Sequence, residues 1–354
     1  MNRTSSKAFL IKILFLAMLL VATVPARTQE GQADPKEKMQ WFSEARLGIF
    51  IHWGIYAVNG ISESWSFFNG YVSYGDYMKQ MDGFTANNYD PDLWADLIGK
   101  SGARYAVLTS KHHDGVALWD SRYGDLNVVD GAPAGRDLIT PFVDALRQRG
   151  LKVGLYFSLL DWSHPDYPNF TKDQKRYTND PDRQAAFTRF NHGQIAELGE
   201  LFNPDLYWFD GDWEQSADWW QAPQIRNMIL ERNPAAIINS RLQGYGDYAT
   251  PEQGLPLLPP DDPYWELCMT MNDSWGYQHN DRNYKSPNQV IRIFAECLSM
   301  GGNLLLDMGP RADGTIPKEQ VRILQELGRW NAKHEEAIFS TTAGLPPGYF
   351  HGPS

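Results

Sequence analysis

Ionisable and aromatic residues stand at or near the ends of apolar runs in this sequence. These residues are His52, His112, His113, Tyr156, Trp208, Asp210, Arg241 and Glu266. If each apolar run forms a buried strand, the side chains gather at the carboxyl ends of the strands, where α/β folds bind ligands. We therefore expect them to form a single site.

Histidines beside carboxylates fit two kinds of hydrolysis. A retaining glycosidase needs two carboxyl groups about 5 Å apart, one ionised as the nucleophile and one protonated as the general acid. A metal-dependent hydrolase would instead use His52, His112, His113 and Asp210 to hold a divalent ion that activates water. Neighbouring residues on a strand point to opposite faces, which counts against a metal shared by His112 and His113. The sequence favours the glycosidase without a metal, and the metal hydrolase stays open as the alternative.

Predicted strands and helices alternate along the chain. The predicted strands are 47–54, 104–110, 152–158, 206–210, 236–239, 264–269, 303–308 and 337–341. The predicted helices are 39–47, 90–100, 141–149, 182–201, 225–232, 290–299 and 318–333. This alternation requires a parallel sheet with right-handed crossovers, and seven or eight units predict one (β/α)8-type (TIM) barrel of the α/β class. The Pro- and Gly-rich loop 244–263 is too long for a bare connection, so we expect it to be functional.

The first 26 residues have the pattern of a secretory signal peptide. Three basic residues precede the apolar run 13–24, and Val24-Pro25-Ala26 offers small residues for cleavage. The apolar run is too short to span a bilayer. Removing these three positive charges changes the net charge from −11 to −14, which argues against nucleic-acid and anionic-membrane partners. We therefore expect an exported, periplasmic or extracellular protein whose catalytic domain is 27–354.

Aromatic residues make up 13% of the chain, with 13 Trp, 17 Tyr and 17 Phe. Their faces pack against the C–H faces of sugar rings, although large hydrophobic cores also use aromatic residues. In an acidic exported protein this richness favours a carbohydrate as the ligand.

Six motifs in this order resemble those of the α-L-fucosidases, family 29 of the glycoside hydrolases, over residues 39–350. The motifs are Gly48-Ile49-Phe50-Ile51-His52-Trp53-Gly54, Lys111-His112-His113-Asp114-Gly115, Tyr207-Trp208-Phe209-Asp210-Gly211, Trp265-Glu266, Ser274-Trp275-Gly276-Tyr277, and Gly301-Gly302-Asn303-Leu304-Leu305-Leu306-Asp307-Met308-Gly309-Pro310. The resemblance implies a retaining exo-glycosidase. Such an enzyme releases terminal α-L-fucose from a fucosylated oligosaccharide or glycoconjugate through a covalent fucosyl-Asp intermediate, without a cofactor.

The resemblance also implies roles for individual residues. Asp210 would be the nucleophile and Glu266 the acid/base, with Glu252 as the alternative acid in the same variable region. The implied substrate contacts are His52, Trp65, His112, His113, Tyr156, Trp208, Arg241 and Trp275. Many relatives have adjacent Glu and Trp, whereas one residue separates Glu63 from Trp65 here. We therefore expect Trp65, rather than Glu63, to contact the sugar.

Relatives usually continue past the barrel into a β-sandwich, whereas this sequence ends at Ser354, so we expect a barrel alone. Three other functions stay open. One is a related exo-glycosidase acting on a sugar of similar hydroxyl pattern, such as a galactoside or a sulfated fucoside. The others are the metal-dependent hydrolase and a sugar-binding protein without catalysis.

Overall fold

Seven parallel strands form the central sheet of the structure, a computed structural model that describes residues 35–339 and 341–344. The strands are β1 (Leu47–Ile51), β2 (Tyr105–Lys111), β3 (Lys152–Ser158), β4 (Leu206–Asp210), β5 (Ile237–Ile238), β6 (Glu266–Thr270) and β7 (Asn303–Met308). Their order in the sheet is β5-β4-β3-β2-β1-β7-β6. All strand residues except Lys152 are buried, which explains why the strands have continuous apolar sequences.

The segment 248–252 closes the sheet into a ring by lying between the end strands β5 and β6. Its parallel bridges join Tyr248 to Asn239, Ala249 to Trp265, and Glu252 to Cys268. The segment therefore occupies the eighth position of a (β/α)8-type barrel. The prediction of an eighth strand at 337–341 is wrong, because Glu335–Ile338 forms a short helix. A short apolar run fits either structure, and periodicity cannot separate the two.

Seven longer helices accompany the strands. They are α1 (Pro35–Ala45), α2 (Pro91–Lys100), α3 (Ile139–Gln148), α4 (Pro181–Phe202), α5 (Ala222–Arg232), α6 (Pro287–Ser299) and α7 (Lys318–Lys333). Local sequence determines several of their starts. Asp90 and Asp180 cap α2 and α4 with their side chains, each followed by a proline in the first turn, and Ser286 forms a capping box with Gln289 in α6.

Smaller elements lie in the loops between these strands and helices. They are the hairpin strands Asn169–Thr171 and Gln174–Lys175, the short α-helices Trp65–Phe68, Tyr74–Met78, Val128–Gly131 and Ala217–Trp220, and the 3₁₀ turns Ile55–Ala57, Lys79–Gly83 and Asp212–Glu214. None of the helices within 35–339 is long and apolar enough to cross a membrane. The predicted signal peptide, 1–26, lies outside the described residues.

Strand side chains alternate between two hydrophobic cores, as the two-residue period of a strand requires. One core lies between the sheet and the helices and includes Ile49, Leu155, Phe209 and Leu306. The other lies inside the barrel and includes Phe50, Tyr156, Trp208 and Leu305. Two residues beyond these four interior side chains come His52, Ser158, Asp210 and Asp307. The same alternation therefore turns four polar side chains inward at the carboxyl ends of the strands.

Candidate active site

A cavity of about 140 Å³ lies at the carboxyl ends of the strands. It is lined by Phe50, His52, Glu63, Trp65, His112, Tyr156, Trp208, Asp210, Trp213, Arg241, Glu252 and Trp275. The cavity thus brings together all the predicted site residues except His113 and Glu266. A larger cavity of about 390 Å³ between α4 and α5 is lined mainly by helix residues and lies away from these polar strand ends.

Asp210 ends strand β4 and is 9% exposed. The Arg241 guanidinium donates a hydrogen bond to one carboxylate oxygen at 2.8 Å, and the Tyr156 hydroxyl donates to the other at 3.0 Å. Burial raises the pKa of Tyr156 well above its usual range, and the Asp210 charge adds to the effect, so this phenol remains a neutral donor. The two donors fix the carboxylate while it faces the cavity.

Arg241 connects Asp210 to a second carboxylate. One terminal nitrogen of its guanidinium lies 2.8 Å from Asp210, and the other lies 2.6 Å from a carboxylate oxygen of Glu252. The guanidinium also lies over the Trp208 ring, 4.6 Å from its centroid. The planar fork of one arginine therefore holds two acidic side chains beside the same cavity.

His113 contacts Asp210 without lining the cavity. Its Nε2 lies 3.6 Å from an Asp210 oxygen, and its Nδ1 lies 2.7 Å from the Ser158 hydroxyl. That hydroxyl donates its hydrogen to the Leu160 carbonyl, so the network assigns the imidazole hydrogen to Nδ1. Burial and the neighbouring His52 lower the pKa of His113 to about 3, which keeps the ring neutral. Its Nε2 is therefore a hydrogen-bond acceptor.

His52 has the opposite character. Its Nδ1 lies 2.7 Å from a carboxylate oxygen of Asp307, the interior residue of β7. Burial alone would lower the pKa of His52, but the Asp307 carboxylate outweighs that effect and raises it, with smaller contributions from Glu63 and Asp210. Asp307 therefore favours the protonated form of His52, in which the second ring nitrogen is a hydrogen-bond donor. His112 is instead kept neutral, since burial and His113 lower its pKa well below the usual value.

Glu63 is a third carboxyl group of the cavity and one that the sequence underrated. It is buried, it lines the cavity together with Trp65, and it accepts a hydrogen bond of 2.6 Å from the Gly276 amide. Burial raises its pKa. The inserted residue between Glu63 and Trp65 does not separate them from the site, because Trp65 begins a short helix, Trp65–Phe68, that turns both side chains toward the cavity.

Glu266 lies outside the cavity, in contrast to its expected role as acid/base. It is the first residue of β6, at the opposite end of the strand from the cavity, and it is fully buried. The Trp208 indole N–H donates to one of its oxygens at 3.0 Å, and the Tyr105 hydroxyl donates to the other. Burial raises the pKa of Glu266 to about 7, although both hydrogen bonds oppose the rise. Of the residues that line the cavity, Glu266 bonds to Trp208.

The alternative acid, Glu252, does line the cavity. Its side chain is 40% exposed, and its backbone is anchored on β6 because the amide of Gln253 and the carbonyl of Pro251 both bond to Cys268. The prediction that loop 244–263 is functional rested on length alone. Trp213, which lines the cavity, was also missed, although it closely follows Asp210 in the sequence.

Aromatic rings form much of the remaining wall. The rings of Phe50 and Trp208 have centroids 4.8 Å apart, Phe50 and Trp275 5.9 Å, and Trp275 and His52 4.9 Å. Trp65 packs edge-on against His113 at 5.5 Å. The cavity therefore combines apolar ring faces with a few oriented polar groups, as sites for small polar ligands do.

The histidines and carboxylates do not converge as metal ligands do. Within 35–339 and 341–344, no group of three or more His, Cys, Asp or Glu side chains has a geometry that could hold a metal ion. The nitrogens discussed above face Asp307 and Ser158 instead.

Comparison with known proteins identifies the family. The family model described as Alpha-L-fucosidase matches residues 20–336. The chain belongs to the alpha-L-fucosidase family. An alpha-L-fucosidase of Branchiostoma floridae is 32% identical over 337 residues, which cover 87% of this chain and 74% of that protein. The tissue alpha-L-fucosidase of Rattus norvegicus is 32% identical over 340 residues, covering 87% and 71%. The resemblance inferred from the six motifs is confirmed, and the family is one of glycoside hydrolases.

Solved alpha-L-fucosidase structures share the fold. Alpha-L-fucosidase isoenzyme 1 from Paenibacillus thiaminolyticus matches with a TM-score of 0.83 and 37% identity, covering 88% of this chain and 79% of that one. A Bacteroides thetaiotaomicron enzyme matches with a TM-score of 0.79 and 30% identity, covering 89% and 79%. The latter is a trapped covalent intermediate obtained with 2-fluoro-fucosyl fluoride and a glutamate-to-glutamine mutant. The predicted barrel of the α-L-fucosidases is thereby confirmed.

The buried position of Glu266 predicts a pH-dependent stability. The folded chain keeps the Glu266 proton up to about pH 7, whereas the unfolded chain loses it from 4.5 upward. The stabilisation is fully present below pH 4.5 and is lost as the pH rises through 7. Between pH 4 and pH 8, the free energy of unfolding of the wild type should therefore fall by about 3 kcal/mol relative to that of Glu266→Gln. Denaturant unfolding across this range measures the difference.

The Glu231→Gln variant, which makes the same substitution at an exposed position, provides the control. Parallel pH profiles for wild type and Glu266→Gln would contradict the assignment of a raised pKa to the buried carboxyl.

Proposed function

We propose that the chain hydrolyses terminal α-L-fucosides by double displacement with retention at the anomeric carbon. The observation that carries this proposal is the bridging of Asp210 and Glu252 by one guanidinium beside a cavity of about 140 Å³. Retaining glycosidases hold two carboxyl groups about 5 Å apart, a distance that one guanidinium can bridge. The cavity accommodates a single sugar ring, as an enzyme acting on chain ends requires.

Asp210 is the nucleophile in this proposal. It lies deep in the cavity, and its two fixed hydrogen bonds, from Arg241 and Tyr156, hold the carboxylate in place without blocking its cavity side. Attack on the anomeric carbon forms the fucosyl-Asp ester and expels the glycosidic oxygen. Tyr156 and Arg241 both donate hydrogen bonds to the carboxylate oxygens, so both can respond to the change in charge on these oxygens during the attack.

Glu252 is the acid/base, in place of Glu266. A general acid must reach the leaving oxygen, and the same carboxylate must later reach a water molecule. The half-exposed Glu252 meets both needs, whereas Glu266 is shielded by Trp208. Glu252 must therefore enter the first step in its protonated form: it gives its proton to the departing oxygen, and the resulting carboxylate takes a proton from water in the second step. The trapped intermediate of the Bacteroides relative, obtained with a glutamate mutant, supports a glutamate in this second step.

Fucose recognition follows from the hydrogen-bonding character of His52 and Glu63. His52, in the protonated form that Asp307 favours, donates to a sugar hydroxyl. Glu63 supplies an acceptor. The C5 methyl group of fucose needs an apolar wall, which Phe50 provides together with Trp208 and Trp275, whose rings both pack against it. A galactoside would place a hydroxymethyl group against that wall and leave its hydroxyl unpaired.

Removal of the nucleophile tests the first step. Asp210→Gly should lower turnover of an aryl α-L-fucoside on the order of 10⁴-fold or more, because no covalent intermediate can form. Azide, which fits the space left by the carboxylate, should restore part of the rate and yield a fucosyl azide. The exposed Asp218→Gly is the matched control and should keep wild-type activity. Wild-type rates for Asp210→Gly without azide would end the assignment.

The acid/base is tested by comparing leaving groups. Glu252→Ala should lose about 10²- to 10⁴-fold on a fucosyl disaccharide, whose leaving group needs a proton, and far less on a dinitrophenyl fucoside, which does not. Glu266→Gln is the control, since it should affect both substrates by the same small factor. If Glu266→Gln shows the dependence on leaving group that is expected of Glu252→Ala, the acid/base is Glu266 instead.

We also propose that residues 1–26 direct export to the periplasm or the medium and are then removed. Fractionation of expressing cells and intact-mass measurement of the purified protein test this point. The expected product begins at Arg27. An unprocessed chain retained in the cytoplasm would contradict the proposal.

A further inference from the structure

Trp213 is an exposed indole on the wall of the cavity. It lines the cavity together with Asp210, and yet 49% of its surface is open to solvent. A single exposed aromatic residue on a protein surface needs no explanation. An exposed aromatic residue that is held rigidly beside a candidate active site can bind a ligand, because its open face is available for contact.

The turn that carries Trp213, Asp212–Glu214, is fixed on both sides. Glu214 accepts hydrogen bonds from Trp162 Nε1 at 3.0 Å, Tyr167 Oη at 2.7 Å and Asn169 Nδ2 at 2.7 Å. Asp212 accepts one from the Gln243 amide at 2.9 Å, and its carbonyl accepts one from Trp220 Nε1 at 2.9 Å. Five bonds thus constrain the flanking residues while the indole itself remains uncovered. Such preorganisation lowers the entropic cost of binding.

The orientation of the indole is defined by its neighbours. Its plane is within 13° of that of Trp65, with centroids 6.2 Å apart, and it stands at 89° to the His113 ring at 5.9 Å. Since His113 also contacts Asp210, Trp213 continues the same wall outward from the nucleophile.

Burial orders these groups by depth. Asp210 is 9% exposed and lies at the bottom, whereas Glu252, with a side chain 40% exposed, and Trp213, 49% exposed, lie at the mouth. A cavity of about 140 Å³ has room for one sugar ring. The remainder of an oligosaccharide must leave through the mouth, past Glu252 and Trp213.

We propose that Trp213 forms an aglycone subsite, in which its indole stacks against the C–H face of the pyranose ring that carries the fucose. The ligand class is therefore a fucosylated sugar rather than an unsubstituted fucoside. Stacking of an apolar ring face on an aromatic plane supplies the contact, and the rigid turn presents that plane. This inference rests on the proposed function, because it takes the cavity to be the fucose site.

Two substrates separate a contact between Trp213 and the second sugar from a contact with fucose itself or a purely structural role. We expect Trp213→Ala to lower kcat/KM about five- to tenfold on the fucosyl disaccharide that the wild type cleaves fastest among α-1,2, α-1,3, α-1,4 and α-1,6 linkages. On α-L-fucosyl fluoride, which has no second sugar, the loss should be several-fold smaller than on the disaccharide. Trp213→Phe should recover most of the loss, since it keeps an aromatic face. Leu201→Ala, which removes an exposed apolar side chain from the distant end of α4, is the control.

Equal losses on both substrates, or no loss on either, would overturn the inference. Saturation-transfer NMR with intact disaccharide provides a readout that needs no turnover. The aglycone protons should receive saturation in Asp210→Gly and lose it in Asp210→Gly/Trp213→Ala. If the wild type releases no fucose from any substrate, the proposed function fails, and this binding experiment still decides whether Trp213 contacts a second sugar.

Discussion

The double ion pair of Arg241 with Asp210 and Glu252 is the interaction on which the site depends. Two carboxylates held close together in a small, partly dry cavity repel each other, and a cation between them removes that cost. The guanidinium suits the task because its nitrogens form a rigid planar fork, which a lysine could not supply. The position of both acids therefore follows from the position of one arginine.

Contacts in the interior of the barrel position Arg241. Its guanidinium rests on the face of Trp208, whose indole N–H is bonded to the buried Glu266. A line of contacts thus runs from the bottom of the barrel through one indole to both acidic groups. This line gives Glu266 a structural reason to be present in the interior, where an unpaired carboxyl would be costly. Fixing the support of a catalytic group is as necessary as supplying the group.

Much of this architecture could be predicted from the sequence. Strands β3 and β7 and helix α7 have the predicted bounds, since buried parallel strands are continuous apolar runs and α7 is strongly amphipathic. His52 and Asp210 were predicted at the carboxyl ends of strands, and the alternation of side chains explains why both turn inward there. Glu266 was misplaced because it occurs early in its strand, so the same rule places it at the far end of the barrel.

Other features could not be predicted because distant contacts determine them. The segment 248–252 lacks the composition of a strand, and only its bridges to Asn239, Trp265 and Cys268 give it the eighth place in the ring. The sequence instead predicted the eighth strand at 337–341, because it contains no sign of these bridges. Trp213 closely follows Asp210 in the chain, but its exposure depends on the bonds made by Asp212 and Glu214 with other loops.

The closing segment 248–252 has a consequence for how such a barrel can diverge. The segment completes the wall of the barrel and also carries Glu252. Exchange of the whole loop would therefore both open the wall and displace Glu252. Exposed positions of this loop lie beyond the last bridge, at 257–259, where Leu257 and Leu258 project into solvent. A library confined to these exposed positions would change the surface of the loop while the barrel remained closed.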